Sequence, residues 1–190
     1  MNILLTIIVT FFAGMGAGLG TGFAGMSAAA VISPMLITFL KMNPYMAVGI
    51  ALSSDVLASA VSAYIYGKNK NLDIKNGMIM MIGLICGFVG AGGGMMMLLI
   101  LTSVLGYELK TAVGTSVFIM AFTAFTGAAS HFMIGGAPDW TVFILCVAFT
   151  LIWARIAARF ANKATPETLN RATGIILVIL GIVVLGFSML

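Results

Sequence analysis

The stretch Gly83–Ser116 reads GLICGFVGAGGG, MMMLLILTSVLGYELK and TAVGTS in direct succession. No charged residue occurs from Asn76 to Tyr107, which is typical of a segment inside a membrane. Its middle, Gly90–Gly94, holds four glycines in five residues. Each glycine destabilises a helix by about 1 kcal/mol relative to alanine. The stretch therefore predicts a helix that is interrupted at membrane depth.

An interrupted helix in a membrane leaves backbone N–H and C=O groups without partners. Such a break is tolerated only where protein or a water-filled cavity surrounds it, and transporters use broken helices of this kind as binding sites. The alternative is that the glycines only let helices pack closely. Four glycines in five residues exceed what a small-xxx-small packing face needs. We therefore interpret the break as a candidate ligand site.

The composition determines the fold class. The chain has 190 residues, of which 62% are hydrophobic and only 7% are charged. Several uncharged runs approach or exceed the roughly 20 residues that span a bilayer. We predict an all-α, polytopic membrane protein that lies in the lipid bilayer of the cell membrane. Nucleic-acid binding is excluded, because there is no basic helix or aromatic-rich soluble module.

Eight apolar elements are predicted along the chain. Glycines at alternate positions from Gly14 to Gly22 are expected to loosen the end of the first element. The predicted bounds of the eight elements are Ile3–Phe23, Met26–Leu40, Tyr45–Tyr66, a half-length piece that ends at Val89, Met95–Gly106, Thr111–Met133, Asp139–Phe160 and Pro166–Leu190.

The chain repeats itself at a shift of 65 residues. Gly22-Phe23-Ala24-Gly25 then falls on Gly87-Phe88-Val89-Gly90, and Ala47-Val48-Gly49 falls on Ala112-Val113-Gly114. We therefore predict two repeat units, residues 1–75 and 76–190, within one membrane domain. Internal repeats are a recurrent construction of transporters.

The basic residues predict an orientation for these units. If Asn76–Glu108 is a hairpin that enters and leaves on one side, eight of the nine basic residues fall on that side and only Lys41 on the other. Basic residues mark the cytoplasmic side of a membrane protein. The repeated spans Tyr45–Tyr66 and Thr111–Met133 would then run in opposite directions, which is an inverted repeat.

At this point the sequence resembles a known family. CGFVGAGGGMMM, AVGTSVFIM, GAASHFMIGG and the segment from Trp153 to Leu185 are similar to the second half of the sulfite exporter TauE/SafE family of membrane permeases. GLGTGFAGMSAAAVISPMLI and AVGIALSSDV resemble its first half more loosely. The resemblance implies a carrier with two similar halves that moves sulfite, sulfonates or related small anions, usually outward.

The chain departs from that family in its first unit. The second unit continues through two closing spans, whereas Asp73 is followed almost directly by the next glycine break. About two spans of the first unit are therefore predicted to be absent, and a homodimer could supply the missing walls.

A small anion in a membrane needs positive potential at a low desolvation cost. Free N–H groups at the start of a broken helix supply it. Gly92, Gly93 and Gly94 precede the second short helix and are the predicted donors, with Gly90 beside them. In the first unit we assign Gly22, Gly25 and Ser27 to the same site and expect a less open break there. Gly114, Thr115 and Ser116 add two hydroxyl groups, unless those groups hydrogen-bond to their own helix.

Asp55 is the only acid deep inside a predicted span, flanked by Ser53 and Ser54. A carboxyl group within a membrane is functional by default, and proton coupling is the role that we prefer. The alternative is a protonated side chain hydrogen-bonded to Ser53, Ser54 or a neighbouring helix. His131 is either a pH sensor or substrate contact, or an interfacial anchor.

No catalytic set, metal spacing or nucleotide loop occurs in the sequence, so we expect no enzyme activity and no cofactor. The predicted function is transport of a small anion, such as a sulfur oxyanion or organosulfonate, driven by an ion gradient. The alternative is a shortened relative that does not transport or that depends on a partner.

Overall fold

The computed structural model describes residues 3–85 and 97–188. Within these residues the chain is helical and each helix forms where the apolar pattern predicts one. The elements are α1 (Ile3–Ala24), α2 (Ala29–Leu40), α3 (Pro44–Lys68), α4 (Ile74–Ile85), a π-helical turn (Ile100–Val104), α5 (Leu109–Gly135), α6 (Trp140–Lys163) and α7 (Pro166–Ser188).

Four of these helices are long and apolar enough to cross a membrane. They are α1, α3, α5 and α6, with lengths of 22 to 26 residues over the apolar part. Helix α2 is apolar but has only 12 residues, which is too short for a full span. These findings confirm the prediction of a polytopic, α-helical, multi-pass membrane protein.

Helices α3 and α5 pack against each other in opposite directions. At one end the ring of Tyr45 lies 4.3 Å from the ring of His131. At the other end Gly114 lies against the Cβ of Tyr66. The first residues of α3 thus meet the last residues of α5. This arrangement agrees with repeated spans that run in opposite directions, while the division into two repeat units stays a prediction.

The glycines of α1 form a packing face. A Cβ added to Gly18 would lie 2.6 Å from the backbone oxygen of Thr150 and 2.7 Å from the backbone nitrogen of Ala154. Gly14 and Gly22, one turn away on either side, meet α6 in the same way. The expectation that these glycines loosen the end of α1 is wrong, because α6 packs onto them and the helix is continuous to Ala24. Residues without a Cβ let two membrane helices approach closely.

The two ends of the uncharged segment Asn76–Tyr107 lie side by side. The Tyr107 hydroxyl donates to a carboxylate oxygen of Asp73 at 2.7 Å, and the side-chain amide of Asn76 donates to the Tyr107 oxygen at 2.7 Å. Residues 76 and 107 therefore enter and leave on one side of the protein, as the hairpin interpretation requires. At that same end the Lys110 ammonium donates to the backbone oxygen of Asn162 at 3.1 Å.

We expect the charge of Asp73 to stabilise this hairpin. Asp73 caps α4, since the backbone N–H of Asn76 donates to its Oδ1 at 3.0 Å. This bond and the Tyr107 hydroxyl lower the pKa of Asp73 below its usual value of 3.8. Because the folded state favours the carboxylate, its stabilisation is present above that pH and is lost as the pH falls through the lowered pKa.

The variant Asp73→Asn tests this, because asparagine keeps the cap and removes the charge. At pH 7 we expect a melting temperature in detergent about 2 °C below that of the wild type, since Asp73 is only partly buried and solvent screens its charge. As the pH falls through the lowered pKa of Asp73, the difference is expected to vanish. An equal difference above and below that pKa would show that the charge plays no part.

Candidate functional site

Helices α1 and α2 are separated by a sharp break that lies inside the protein. Gly25 has φ +59°, a conformation that glycine adopts without strain, and a Cβ at this position would overlap the hydroxyl of Ser116. Helix α2 has 12 residues and a short turn joins it to α3. The start of α2 therefore lies about halfway along α3, at membrane depth.

Side chains of other helices bind the carbonyl groups at the end of α1. The Tyr66 hydroxyl donates to the backbone oxygen of Gly22 at 2.9 Å. The Thr173 hydroxyl donates to the backbone oxygen of Phe23 at 3.3 Å. Both hydroxyl groups lie in buried side chains. Because buried backbone groups need partners, these contacts allow the chain to break its helix here.

A carboxylate binds the other side of the break. Asp55 is fully buried in the middle of α3. Its Oδ2 accepts from the Ser27 hydroxyl at 2.6 Å, and the backbone N–H of Ala28 also hydrogen-bonds to the carboxylate. The N-terminus of α2 is thus capped by an acid from another helix, which its partial positive charge favours. No basic side chain is among the hydrogen-bond partners that the structure gives Asp55.

Asp55 belongs to a polar stripe on α3. Ser59 donates to its Oδ1 at 3.0 Å. Asp55, Ser59, Ser62 and Tyr66 follow one another at spacings of four, three and four residues, which places them on one face of the helix. Both ends of this α3 polar stripe contact the break, through Asp55 and Tyr66. Ser62 lies between them, fully buried, and its hydroxyl has no hydrogen-bond partner among the residues that the structure describes.

The last three residues of the stripe, Ser59, Ser62 and Tyr66, were not predicted from the sequence. Their spacing within an apolar span was the signal that could have identified them, because helical neighbours stand three and four residues apart. The sequence position of Asp55 pointed to its direct neighbours Ser53 and Ser54 instead. Those two hydroxyls donate to backbone oxygens of their own helix, Ser53 to Gly49 at 2.8 Å and Ser54 to Ile50 at 3.0 Å.

The remaining predicted residues are distributed over several places. Ser116 lies at the break, beside Gly25, and donates to the backbone oxygen of Val113 at 2.9 Å. Thr115 accepts the backbone N–H of Asp73 at 3.1 Å, so its hydroxyl holds a loop. Gly114 packs against Tyr66 and the backbone of Asn71.

His131 is far from the break. Its Nδ1 lies 3.1 Å from the backbone oxygen of Tyr45, at the end of the bundle where α3 begins. Gly22 and Ser27 are at the break, as described above. Gly90, Gly92, Gly93 and Gly94 lie outside the described residues.

The amide groups of the first break already have partners. The N–H of Ala28 bonds to Asp55, and that of Ala29 to the Ser27 hydroxyl at 3.3 Å. The N–H of Ala30 bonds to the backbone oxygen of Ser27 at 3.2 Å. These are the groups that would bind an anion at the start of α2, and in this conformation the carboxylate of Asp55 holds the first of them.

Comparisons with known proteins connect this architecture to one family. The sequence profile described as "Sulfite exporter TauE/SafE" matches residues 10–87 and 76–184 of the chain. The "Probable membrane transporter protein YdhB" of Bacillus subtilis (strain 168) is 29% identical over 108 residues, which cover 57% of this chain and 44% of that protein. The "Probable membrane transporter protein YunE" of the same organism is 29% identical over 100 residues, or 53% of this chain and 36% of that protein.

The matched part spans less than half the length of these curated relatives. No solved structure matches the chain.

Proposed function

Because the chain belongs to the sulfite exporter TauE/SafE family, we propose that it is a membrane transporter that carries a small sulfur oxyanion or sulfonate outward across the cell membrane. Both curated relatives are named probable membrane transporter proteins, which supports the transporter class. The choice of anion follows from the family description and from the chemistry of the break.

One observation carries this proposal: the N-terminus of α2 already holds an anionic group inside the membrane. The carboxylate of Asp55 is bound there by the hydroxyl of Ser27 and the N–H of Ala28. Sulfite and sulfonates present oxygen acceptors of the same kind. Backbone and hydroxyl donors bind such anions without a buried lysine or arginine, which would be costly in a membrane.

The predicted repeat of the chain supports a second site of the same kind. At a shift of 65 residues, Ser27, Ala28 and Ala29 correspond to Gly92, Gly93 and Gly94, while Asp55 corresponds to Met120. Met120 is buried and apolar. The second break therefore has no carboxyl group at the position that fills the first, and we assign the substrate contacts in the second unit to its glycine amides.

Sulfite efflux from proteoliposomes tests the proposal. Vesicles with the purified chain are loaded with radiolabelled sulfite and diluted into sulfite-free buffer, with protein-free vesicles as the reference. We expect efflux at least about tenfold faster with the protein, a difference of about 1.4 kcal/mol in the barrier. Entrapped glucose should leak equally from both preparations, which controls for membrane damage. Equal sulfite efflux from both preparations would contradict transport by this chain alone.

A second candidate function, transport that depends on a partner, is favoured by how little of the curated relatives the chain matches. A chain that matches less than half of each relative could depend on a partner, and a homodimer is the simplest way to complete the walls. Sulfite efflux that requires a crosslinked dimer, with none from a monomer that melts cooperatively, would favour this candidate.

A further inference from the structure

We propose that the start of α2 and the α3 polar stripe form an oxyanion site that Asp55 occupies in the absence of substrate. A three-oxygen sulfur anion binds in its place once Asp55 is protonated. This inference rests on the proposed transport function and names the site and the coupling that serve it.

The hydrogen bonds at Asp55 are those of a bound anion. Its two oxygens accept from different donors, Oδ2 from Ser27 at 2.6 Å and Oδ1 from Ser59 at 3.0 Å. The N–H of Ala28 adds a third bond. An ionised carboxylate only accepts hydrogen bonds, so a set of three donors is suited to a negative charge. Two oxygens of sulfite or a sulfonate can accept from the same set.

The Ser62 hydroxyl indicates that the bound anion has a third oxygen. This hydroxyl is fully buried and lacks a partner within residues 3–85 and 97–188, and an unpaired buried donor costs about 1–3 kcal/mol. Its two neighbours on the stripe, Ser59 and Tyr66, both bond toward the break. A carboxylate has no third oxygen to offer this hydroxyl, whereas sulfite and sulfonates do. The site therefore fits a three-oxygen anion better than the acid that fills it.

Two negative charges cannot share these donors. At about 4 Å and an effective dielectric constant near 20, two like charges repel by about 4 kcal/mol. Substrate binding therefore requires that Asp55 takes up a proton and leaves the start of α2. The anion and the proton are bound together, which couples transport to a proton gradient.

The helices packed around Asp55 carry one other carboxyl group, Glu167 in the first turn of α7. Helices α1 and α2 contain no ionisable side chain, and α5 carries Lys110 and His131 near its two ends. Lys110 bonds to Asn162 and His131 lies on Tyr45. The other ionisable residues of the packed helices are Tyr45, Tyr64, Tyr66 and Lys68 on α3, Cys146, Arg155, Arg159 and Lys163 on α6, and Glu167 and Arg171 at the start of α7. Asp55 is thus the one acid placed to exchange a proton at this break.

Binding of methanesulfonate to the purified protein tests the inference, because this sulfonate stays a monoanion throughout the range used. We expect its dissociation constant to rise between pH 5.5 and pH 8, by up to about tenfold per pH unit where Asp55 is ionised. In Asp55→Asn the affinity should stay near the low-pH value and lose this dependence. Asp139→Asn, which alters a cap outside the span, should keep the wild-type dependence.

Ser62→Ala tests the third oxygen. We expect about fivefold weaker binding at pH 5.5 with an unchanged pH dependence, since one hydrogen bond is lost. Unchanged affinity would remove Ser62 from the site.

A measurement of proton uptake tests the inference with the wild-type protein alone. When methanesulfonate is added to weakly buffered protein at pH 7.5, the protein should take up close to one proton for each anion bound. Binding without proton uptake, or a pH dependence that persists in Asp55→Asn, would overturn the inference and leave the proposed transport intact. Failure of methanesulfonate to bind at any pH, together with equal sulfite efflux from both vesicle preparations, would overturn both.

Discussion

Replacing Gly18 with leucine is expected to remove most of the folded protein. A Cβ at this position would lie 2.6 to 2.7 Å from backbone and Cβ atoms of α6. Backbone atoms cannot move aside as the end of a flexible side chain can, so α1 and α6 would have to separate. We expect a loss of more than about 3 kcal/mol, beyond the usual cost of overpacking, and a melting temperature lower by about 10 °C or more.

Gly174 on α7 provides the matched control. No atom of the described residues lies within 4 Å of a Cβ added there, so Gly174→Leu should melt within about 2 °C of the wild type, as surface substitutions do. Both variants add the same side chain to a helix of the same protein, and the thermal melt is followed in one detergent. A Gly18→Leu protein as stable as Gly174→Leu would show that the glycines of α1 are not a packing face.

Replacing Gly92, Gly93 and Gly94 together with alanine is expected to abolish anion binding at the predicted second break and, with it, transport. Alanine favours the helix by about 1 kcal/mol per residue, so the triple variant gains about 3 kcal/mol toward a continuous helix. A continuous helix satisfies its own amide groups and leaves no free N–H for an anion. Sulfite efflux from proteoliposomes should fall to that of protein-free vesicles.

Two features separate this result from simple unfolding. The triple variant should melt at or above the temperature of the wild type, because the substitutions favour helix. The double variant Gly174→Ala, Gly186→Ala adds Cβ atoms where none lies within 4 Å of another group, and it should transport normally. A triple variant that transports sulfite at the wild-type rate would exclude its glycines from the pathway.

The spans could be predicted closely because one physical effect decides them. A helix without charges over about 20 residues belongs in the bilayer, and polar turns such as Lys41–Asn43 end it. The predicted third element, Tyr45–Tyr66, forms as Pro44–Lys68. Its direction relative to α5 could also be predicted, because basic residues show which ends lie on the same side.

The role of each glycine could not be predicted in the same way. A packing face and a helix break both use the absence of a Cβ, so Gly18 and Gly25 look alike in sequence. The structure separates the two. Gly18 lies within a regular helix and is approached by atoms of Thr150 and Ala154, whereas Gly25 has a positive φ. Those atoms lie more than 90 residues away along the chain, beyond any local pattern.

The candidate site was predicted in part. Asp55 stood out because a carboxyl group within an apolar span is costly. Its sequence neighbours Ser53 and Ser54 bond to their own helix, because adjacent residues on a helix do not face one another. Its real partner Ser27 is 28 residues away, and only the reversal of the chain at the first break brings the two together.

The central claim is that broken helices hold a small anion by their amide groups, and equilibrium binding of radiolabelled sulfite to the purified chain tests it most directly. Saturable binding by the wild type and by the Gly174→Ala, Gly186→Ala variant is expected, with fewer sulfite ions bound per chain by the triple alanine variant, which keeps only the site at the first break. Absence of saturable binding by a wild-type chain that melts cooperatively, or equal binding by the triple variant, would contradict it.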